Sequence, residues 1–187
     1  MKTLFLVLAL LAPVESLDGV VQRAVQSARR PGLEAPMHAA TRIGRPVIVL
    51  GALLAVAIFD PAAGPATARL ALAALVPTNL AVEALKWTVN RTRPDGERKR
   101  SNSSFPSSHA ANAFALAWVL ARRYRPAAPG LWAGAAVVAV SRIYLDRHYL
   151  SDVLIGAAIG VACAWVAARL LQAHAARPPQ PQGDTPG

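Results

Sequence analysis

"VLIGAAIGVACAWVAARLL", Val153 to Leu171, is a run of 19 residues whose first formal charge is Arg169. That length approaches the roughly 20 apolar residues an α-helix needs to cross the hydrocarbon core of a bilayer. Four shorter apolar stretches precede it: Pro46 to Phe59, Leu70 to Trp87, Ala110 to Leu120 and Leu131 to Tyr144. Taken singly, a short apolar run reads equally well as a buried helix of a soluble core. Together, in a chain of 187 residues that is 54% hydrophobic and only 16% charged, they make the bilayer the expected solvent. The expected fold class is all-α: a polytopic membrane helix bundle of five spans, plus an N-terminal segment that is signal-like or a sixth span.

That N-terminal segment, "MKTLFLVLALLAPVES", carries one lysine, an apolar stretch and then Pro13, the grammar of a signal peptide or of an uncleaved first crossing. The chain therefore divides into residues 1–16, a helical membrane domain at 17–173, and a proline-rich tail at 174–187 expected to be disordered. With Lys2 on the cytoplasmic side, the cluster "ARRYRP" (121–126) and Arg169 fall inside, as the positive-inside rule asks. The loop "RTRPDGERKR" (91–100) then falls outside. Its charges oppose that orientation unless they serve a site.

The formal net charge of +10 would suit nucleic acid or an anionic membrane surface. The aromatic residues lie in or beside apolar runs instead of interleaving with the basic loop, which argues against a nucleic-acid partner. Cys163 is the only cysteine, so no intramolecular disulfide can form. Gly130 with Gly134, and Gly156 with Gly160, could serve helix packing within one molecule or between two, which leaves a homo-oligomer open.

Polar residues interrupt the apolar runs at three places. Asn79, Glu83, Lys86 and Asn90 recur at spacings of four, three and four, so they share one helix face; Arg93 follows, and Pro94 stops the helix. The stretch "SNSSFPSSHAANAFALAWVL" (101–120) presses hydroxyl side chains, a proline and His109 against the start of a helix. Helix starts offer free N–H groups and a positive dipole end, which suit an anion such as phosphate, and Asn112 shares the face of His109. Third, "SRIYLDRHYLSDVLIG" (141–156) closes one helix at Arg142 and places His148 four residues before Asp152, where the two side chains can meet. An aspartate that accepts the Nδ1 proton leaves Nε2 free, as a nucleophilic imidazole requires. Asp146 and Arg147 read as solvated loop residues. Each feature alone could be an interfacial charge or an incidental ion pair. Alternating crossings bring all three to one membrane face.

The three together, K-x6-R-P at Lys86–Pro94, "PSSH" at Pro106–His109 and S-R-x5-H-x3-D at Ser141–Asp152, resemble the signature of the type 2 phosphatidic acid phosphatase superfamily, which also includes vanadium haloperoxidases. The second motif commonly reads P-S-G-H; Ser108 stands in place of the glycine. A serine would be strained there if φ were positive and at ease if the position only donates an N–H.

The resemblance implies that Lys86, Arg93 and Arg142 hold the phosphate oxygens, that Ser107, Ser108 and backbone N–H groups near His109 complete the cradle, that His148 attacks phosphorus, and that Asp152 orients it. His109 would protonate the leaving group and then activate water, with a bell-shaped pH profile. No metal or cofactor is expected, because three fixed cations already neutralise the transferring group. The expected activity is hydrolysis of a lipid phosphomonoester or diphosphate, of the phosphatidic acid, phosphatidylglycerophosphate or polyprenyl diphosphate type, through a phosphohistidine. The expected place is a bacterial inner membrane with the site on the extracytoplasmic face. A lipid phosphotransferase, or a non-lipid acid phosphatase or vanadate-dependent haloperoxidase, would use the same residues.

Overall fold

The computed structural model describes residues 2–99 and 102–176, and for residues 2–13, 15 and 46 it is described through the backbone alone. The helices are α1 (Lys2–Ser27), α2 (Pro31–Ile43), α3 (Pro46–Phe59), α4 (Gly64–Val89), α5 (Ser108–Arg123), α6 (Ala128–Tyr144) and α7 (Leu150–Ala175), with a 3-10 turn at Arg125–Ala127 before α6. Among the described residues there is no β-strand.

Prolines set several of the boundaries: Pro31 opens α2 and Pro46 opens α3, at the first helical positions where the missing N–H costs nothing. At the other end of α4, Asn90 takes the left-handed conformation with φ of 47°, a common helix stop.

Among the described residues, α4, α7 and the segment Arg125–Tyr144 are long and apolar enough to cross a membrane. The pair Pro31–Ile43 and Val47–Phe59, bent by 60°, makes a fourth crossing if counted as one broken span. The five crossings expected from the sequence are thus not reached by length and hydropathy. The reason is geometric: α3 has 14 residues and α5 has 16, and at 1.5 Å per residue each falls short of the roughly 30 Å hydrocarbon core.

α5 sits at the centre, against α4, α6 and α7, and small residues let it do so. Ala110, Ala111 and Ala115 are fully buried. On α7, a methyl group added at Gly160 would collide with the carbonyl oxygen of Ala111, and one at Gly156 would lie 2.5 Å from that of Ser107. These two glycines therefore serve packing inside one molecule, whereas Gly130 and Gly134 meet nothing within 4 Å. Gly160→Val is expected to lower the melting temperature in detergent, at a cost of about 1–3 kcal/mol from overpacking. Gly134→Val is the matched control and should leave the melt near wild type.

The ends of the chain differ from the expected divisions. α1 runs unbroken past residue 16 to Ser27, and it is bolted to the C-terminal end of α6: Nε2 of Gln26 donates to the carbonyls of Ile143 (3.2 Å) and Tyr144 (3.3 Å). The signal-like reading of residues 1–16 rests on side chains that lie, for the most part, outside the described residues. At the other end α7 includes residues 174 and 175, which the sequence assigns to the tail. Residues 177–187 of that tail lie outside the described residues.

Candidate active site

The C-terminal ends of α4 and α6 meet the N-terminal ends of α5 and α7 around a cavity of about 1020 Å³. Lys86, Arg93, Ser108, His109, Arg142 and His148 all line it. So do Asn79 and Asn112, whose side-chain amides bond each other, with Asn79 Nδ2 3.0 Å from Asn112 Oδ1.

His148 lies in the α6–α7 turn, whose N–H groups at 147 and 148 both donate to the carbonyl of Arg142. The ring is 2% exposed. Its Nδ1 stands 2.6 Å from the backbone carbonyl of Ser104, while Oδ2 of Asp152 is 3.8 Å away. The first distance is a hydrogen bond and the second is not. Because a carbonyl can only accept, Nδ1 must carry the proton, and Nε2 keeps its lone pair. The direct orienting acceptor is thus Ser104, in place of the Asp152 contact that the i, i+4 spacing suggests. Burial pushes the His148 pKa down to about 4, with Arg142 and Arg93 acting in the same direction against the pull of Asp152. The imidazole is neutral at neutral pH.

Asp152 is fully buried and saturated. Oδ1 accepts from Arg91 Nη1 at 2.7 Å, and Oδ2 accepts the Tyr149 N–H at 2.9 Å and the hydroxyl of Ser104. Arg91 reaches on to a second buried acid, Asp18 of α1: Nη2 lies 2.8 Å from Asp18 Oδ2. Asp18 in turn accepts the Ser151 N–H at 2.8 Å, capping the first turn of α7 where negative charge is favoured. Behind His148 there is therefore a relay running Ser104, Asp152, Arg91, Asp18, anchored on the N-terminal helix.

The hydroxyl-rich stretch before α5 divides its labour. Ser103 Oγ accepts the Arg91 N–H (2.9 Å), Ser104 serves both His148 and Asp152, and Ser107 caps α5 through Ala110 N–H at 3.4 Å. Ser107 is fully buried and its Oγ accepts from the first turn of the helix; Ser108 lines the cavity. Ser108 is the first residue of α5 and is not among the non-glycine residues with positive φ, which are Asn90 and Asp146. The serine at the usual glycine position is therefore unstrained.

The cations are held by neighbours that leave donors free. Arg142, 8% exposed, bonds Thr41 Oγ1 at 2.5 Å through Nη1, while its buried Nε has no partner. Arg93 donates to the carbonyl and side chain of Asn102 at 2.8 and 2.5 Å. Lys86 is paired with Glu83 at 2.8 Å. A buried, unsatisfied guanidinium nitrogen is costly unless an anion completes it.

Arg147 is not a simple solvated residue, since it bonds Asp95 at 2.7 Å and Glu97 at 3.4 Å and pins the 91–99 loop beside the cavity. Asp146 accepts from Gln22 of α1 at 2.5 Å.

The PAP2 superfamily profile matches residues 67–176, more than half of the chain. The chain belongs to the PAP2 superfamily. Among solved structures, the crystal structure of Aquifex aeolicus LpxE superposes with a TM-score of 0.72 at 25% identity, covering 80% of this chain and 93% of that one. The first transmembrane PAP2-type phosphatidylglycerolphosphate phosphatase of Bacillus subtilis also gives 0.72, at 24% identity over 92% of this chain and 96% of that one, and speaks for the fold. A curated relative, the lipid A 1-phosphatase of Porphyromonas gingivalis, is 40% identical over 84 residues, which are 43% of this chain and 18% of that protein. The matched part thus spans less than a fifth of that relative's length.

Of the residues singled out in this PAP2 sequence, Lys86, Arg93, Ser108, His109, Arg142 and His148 share one cavity, Asp152 stands behind it, and Ser107 supports the helix. Arg91, Ser104, Asp18 and Thr41 escape sequence reasoning. Arg91 sits inside the first motif and Ser104 inside the hydroxyl stretch, but nothing in their spacing names a partner. The partners are up to 133 residues distant, as Ser151 is from Asp18.

Proposed function

We propose that the chain is an integral membrane phosphatase that hydrolyses a lipid phosphate through a phosphohistidine on His148. The observation that carries this reading is the tautomer: the Ser104 carbonyl holds the proton on Nδ1 and leaves Nε2 unprotonated in a cavity shared with His109, Lys86, Arg93 and Arg142. Nε2 attacks phosphorus, the bond from phosphorus to the leaving oxygen breaks, and His109 passes its proton to that oxygen. Water then attacks the phosphohistidine, giving its proton to His109, and inorganic phosphate departs as the imidazole is regenerated. Lys86, Arg93 and Arg142 stabilise the charge on the transferring group, so the step is metal-independent. Asp152 supports His148 through Ser104 and the shared buried pocket.

The apolar helices and the lipid-phosphatase names of the relatives support a lipid substrate. We read α5 as buried at membrane depth among its longer neighbours, with the α2–α3 pair as a broken span, and the cavity as opening on the extracytoplasmic face of a bacterial inner membrane. The second reading, a phosphotransferase that passes the phosphoryl group to an alcohol, uses the same phosphohistidine and differs only in the acceptor.

Phosphate release from a panel of lipid phosphates in detergent micelles tests the reading. Turnover of at least one that survives chelator is expected; no turnover of any, or loss restored only by added metal, would count against it. The pH profile follows from His148. Its ordinary pKa of 6.5 is lowered to about 4 in the fold, and protonation removes the nucleophilic lone pair. The limb of kcat/KM set by His148 should therefore fall as pH drops through about 4, well below 6.5. An acid limb centred near 6.5 would contradict the burial argument.

A further inference from the structure

Away from the catalytic cavity, Arg122 of α5 stands over the ring of Trp118 at 4.8 Å, and Arg169 of α7 over that of Trp165 at 5.4 Å. These four residues, with Gln172, line one cleft of about 180 Å³ between the two helices. Neither guanidinium makes a hydrogen bond or ion pair with a protein acceptor among the described residues, and no acidic residue lines the cleft. A ring holds a guanidinium by its flat side and uses none of its N–H donors, so both forks stay open to an acceptor. Two unneutralised cations converging on one cleft repel each other, and an anion between them removes that cost.

The depth of the cleft points to the source of the anion. α5 and α7 run parallel, with Gly156 packed on Ser107 and Gly160 on Ala111, so the cleft lies at the ends of both helices remote from His109 and Asp152. From Asp152 to Arg169, α7 rises about 25 Å, close to the roughly 30 Å of the hydrocarbon core. The cleft therefore opens at the membrane face opposite the catalytic cavity, at the level where tryptophan and arginine meet phospholipid headgroups. Arg122 also lines a neighbouring trough of about 340 Å³ whose wall includes Ala62, Ala66, Leu70 and Val119. A cationic cleft joined through one arginine to an apolar trough matches the two halves of an amphiphile. At about 180 Å³ the cleft is smaller than sites that enclose a whole small molecule and suits one headgroup phosphate. We propose that it binds the phosphodiester of an anionic phospholipid in the leaflet opposite the catalytic cavity, with Arg122 and Arg169 on the phosphate oxygens and an acyl chain in the trough beside Val119. This lipid is not a substrate, since it lies about a membrane thickness from His148. It ties the short α5 to α7 at the end away from His109.

The test is the melting temperature of the full chain in non-ionic detergent micelles doped with phosphatidylglycerol or, at equal mole fraction, phosphatidylcholine, whose choline cation two arginines disfavour. Phosphatidylglycerol is expected to raise the melt by about 3 °C or more over phosphatidylcholine. Arg122→Gln combined with Arg169→Gln should erase that difference, and Arg122→Lys with Arg169→Lys should keep part of it. Arg125→Gln removes an exposed charge from the same end of the bundle that lines neither cleft nor trough, and it should leave the difference intact. No difference in the wild type overturns the site. An equal loss in Arg125→Gln does so too, by showing diffuse attraction to a basic surface. A difference that survives the paired Gln variant puts the lipid elsewhere, the catalytic cavity included, and an equal rise with inorganic phosphate makes the ligand a free anion; either result overturns the proposal. If the paired variant does not fold, each single Gln variant should show a smaller difference than the wild type, and unchanged singles count against the site. The readout needs no turnover, so the proposal stands or falls apart from the phosphatase reading.

Discussion

His148→Ala is expected to lower kcat by about 100,000-fold or more, the scale seen when a covalent nucleophile is removed. The size follows from the position of the ring. Nε2 is left with its lone pair aimed away from the ring's anchor, because Nδ1 is tied to Ser104 at 2.6 Å. Lys86 and the arginines can bind and polarise a phosphate, but they have no lone pair to give. Lipid phosphate binding should persist in the variant, since the cations are untouched. A melting transition in detergent close to that of the wild type would separate lost chemistry from a lost fold. Retention of even a hundredth of the wild-type rate would exclude His148 as the nucleophile.

Arg91→Met should produce the largest loss of stability of any single change at this end of the bundle, about 3–5 kcal/mol by the usual cost of stranding buried charge. Its guanidinium bridges Asp152 and Asp18 at 2.7 and 2.8 Å, and those side chains are 0% and 3% exposed. Methionine keeps much of the volume and removes both partners at once. The two carboxylates would then face each other without a cation. Adding Asp18→Asn to Arg91→Met should recover part of the loss by removing one stranded charge, a coupling that independent sites would not show. Activity should fall along with stability, because Asp152, which accepts the Ser104 hydroxyl, loses its cation. If Arg91→Met melts within a degree or so of the wild type, the relay is not holding the site.

Much of the helical frame and the site could be read in the sequence, and the gaps have physical causes. Val153–Leu171 lies within α7, and the four-three-four spacing put Asn79, Glu83 and Lys86 on the face of α4 that lines the cavity. Asn90, the fourth of that set, instead leaves the helix at a left-handed stop. Motif spacing located His109, Arg142 and His148 because each lies within a few residues of a helix end, where local pattern governs geometry. By length and hydropathy three described helices, or four crossings with the bent pair, reach the span of a bilayer; α5 is apolar enough to be buried yet has only 16 residues. It is the core of the bundle more than a wall of it. The i, i+4 spacing points to Asp152 as the acceptor for His148; the chain offers a backbone carbonyl 44 residues away instead, and backbone carbonyls leave no mark in a sequence. Asp18 was equally invisible. Its role depends on how α1 docks on the C-terminal end of α6 through Gln22 and Gln26, a tertiary contact with no local signature.

Rapid quenching of the wild type with a lipid phosphate, followed by mass spectrometry of its peptides, bears most directly on the catalytic core. The expected outcome is an acid-labile phosphoryl group on His148, formed within the first turnover and absent from His148→Ala. A burst of phosphate release with no phosphoenzyme, or a phosphoryl group on His109 or a serine, would contradict the tautomer argument from which the mechanism is built.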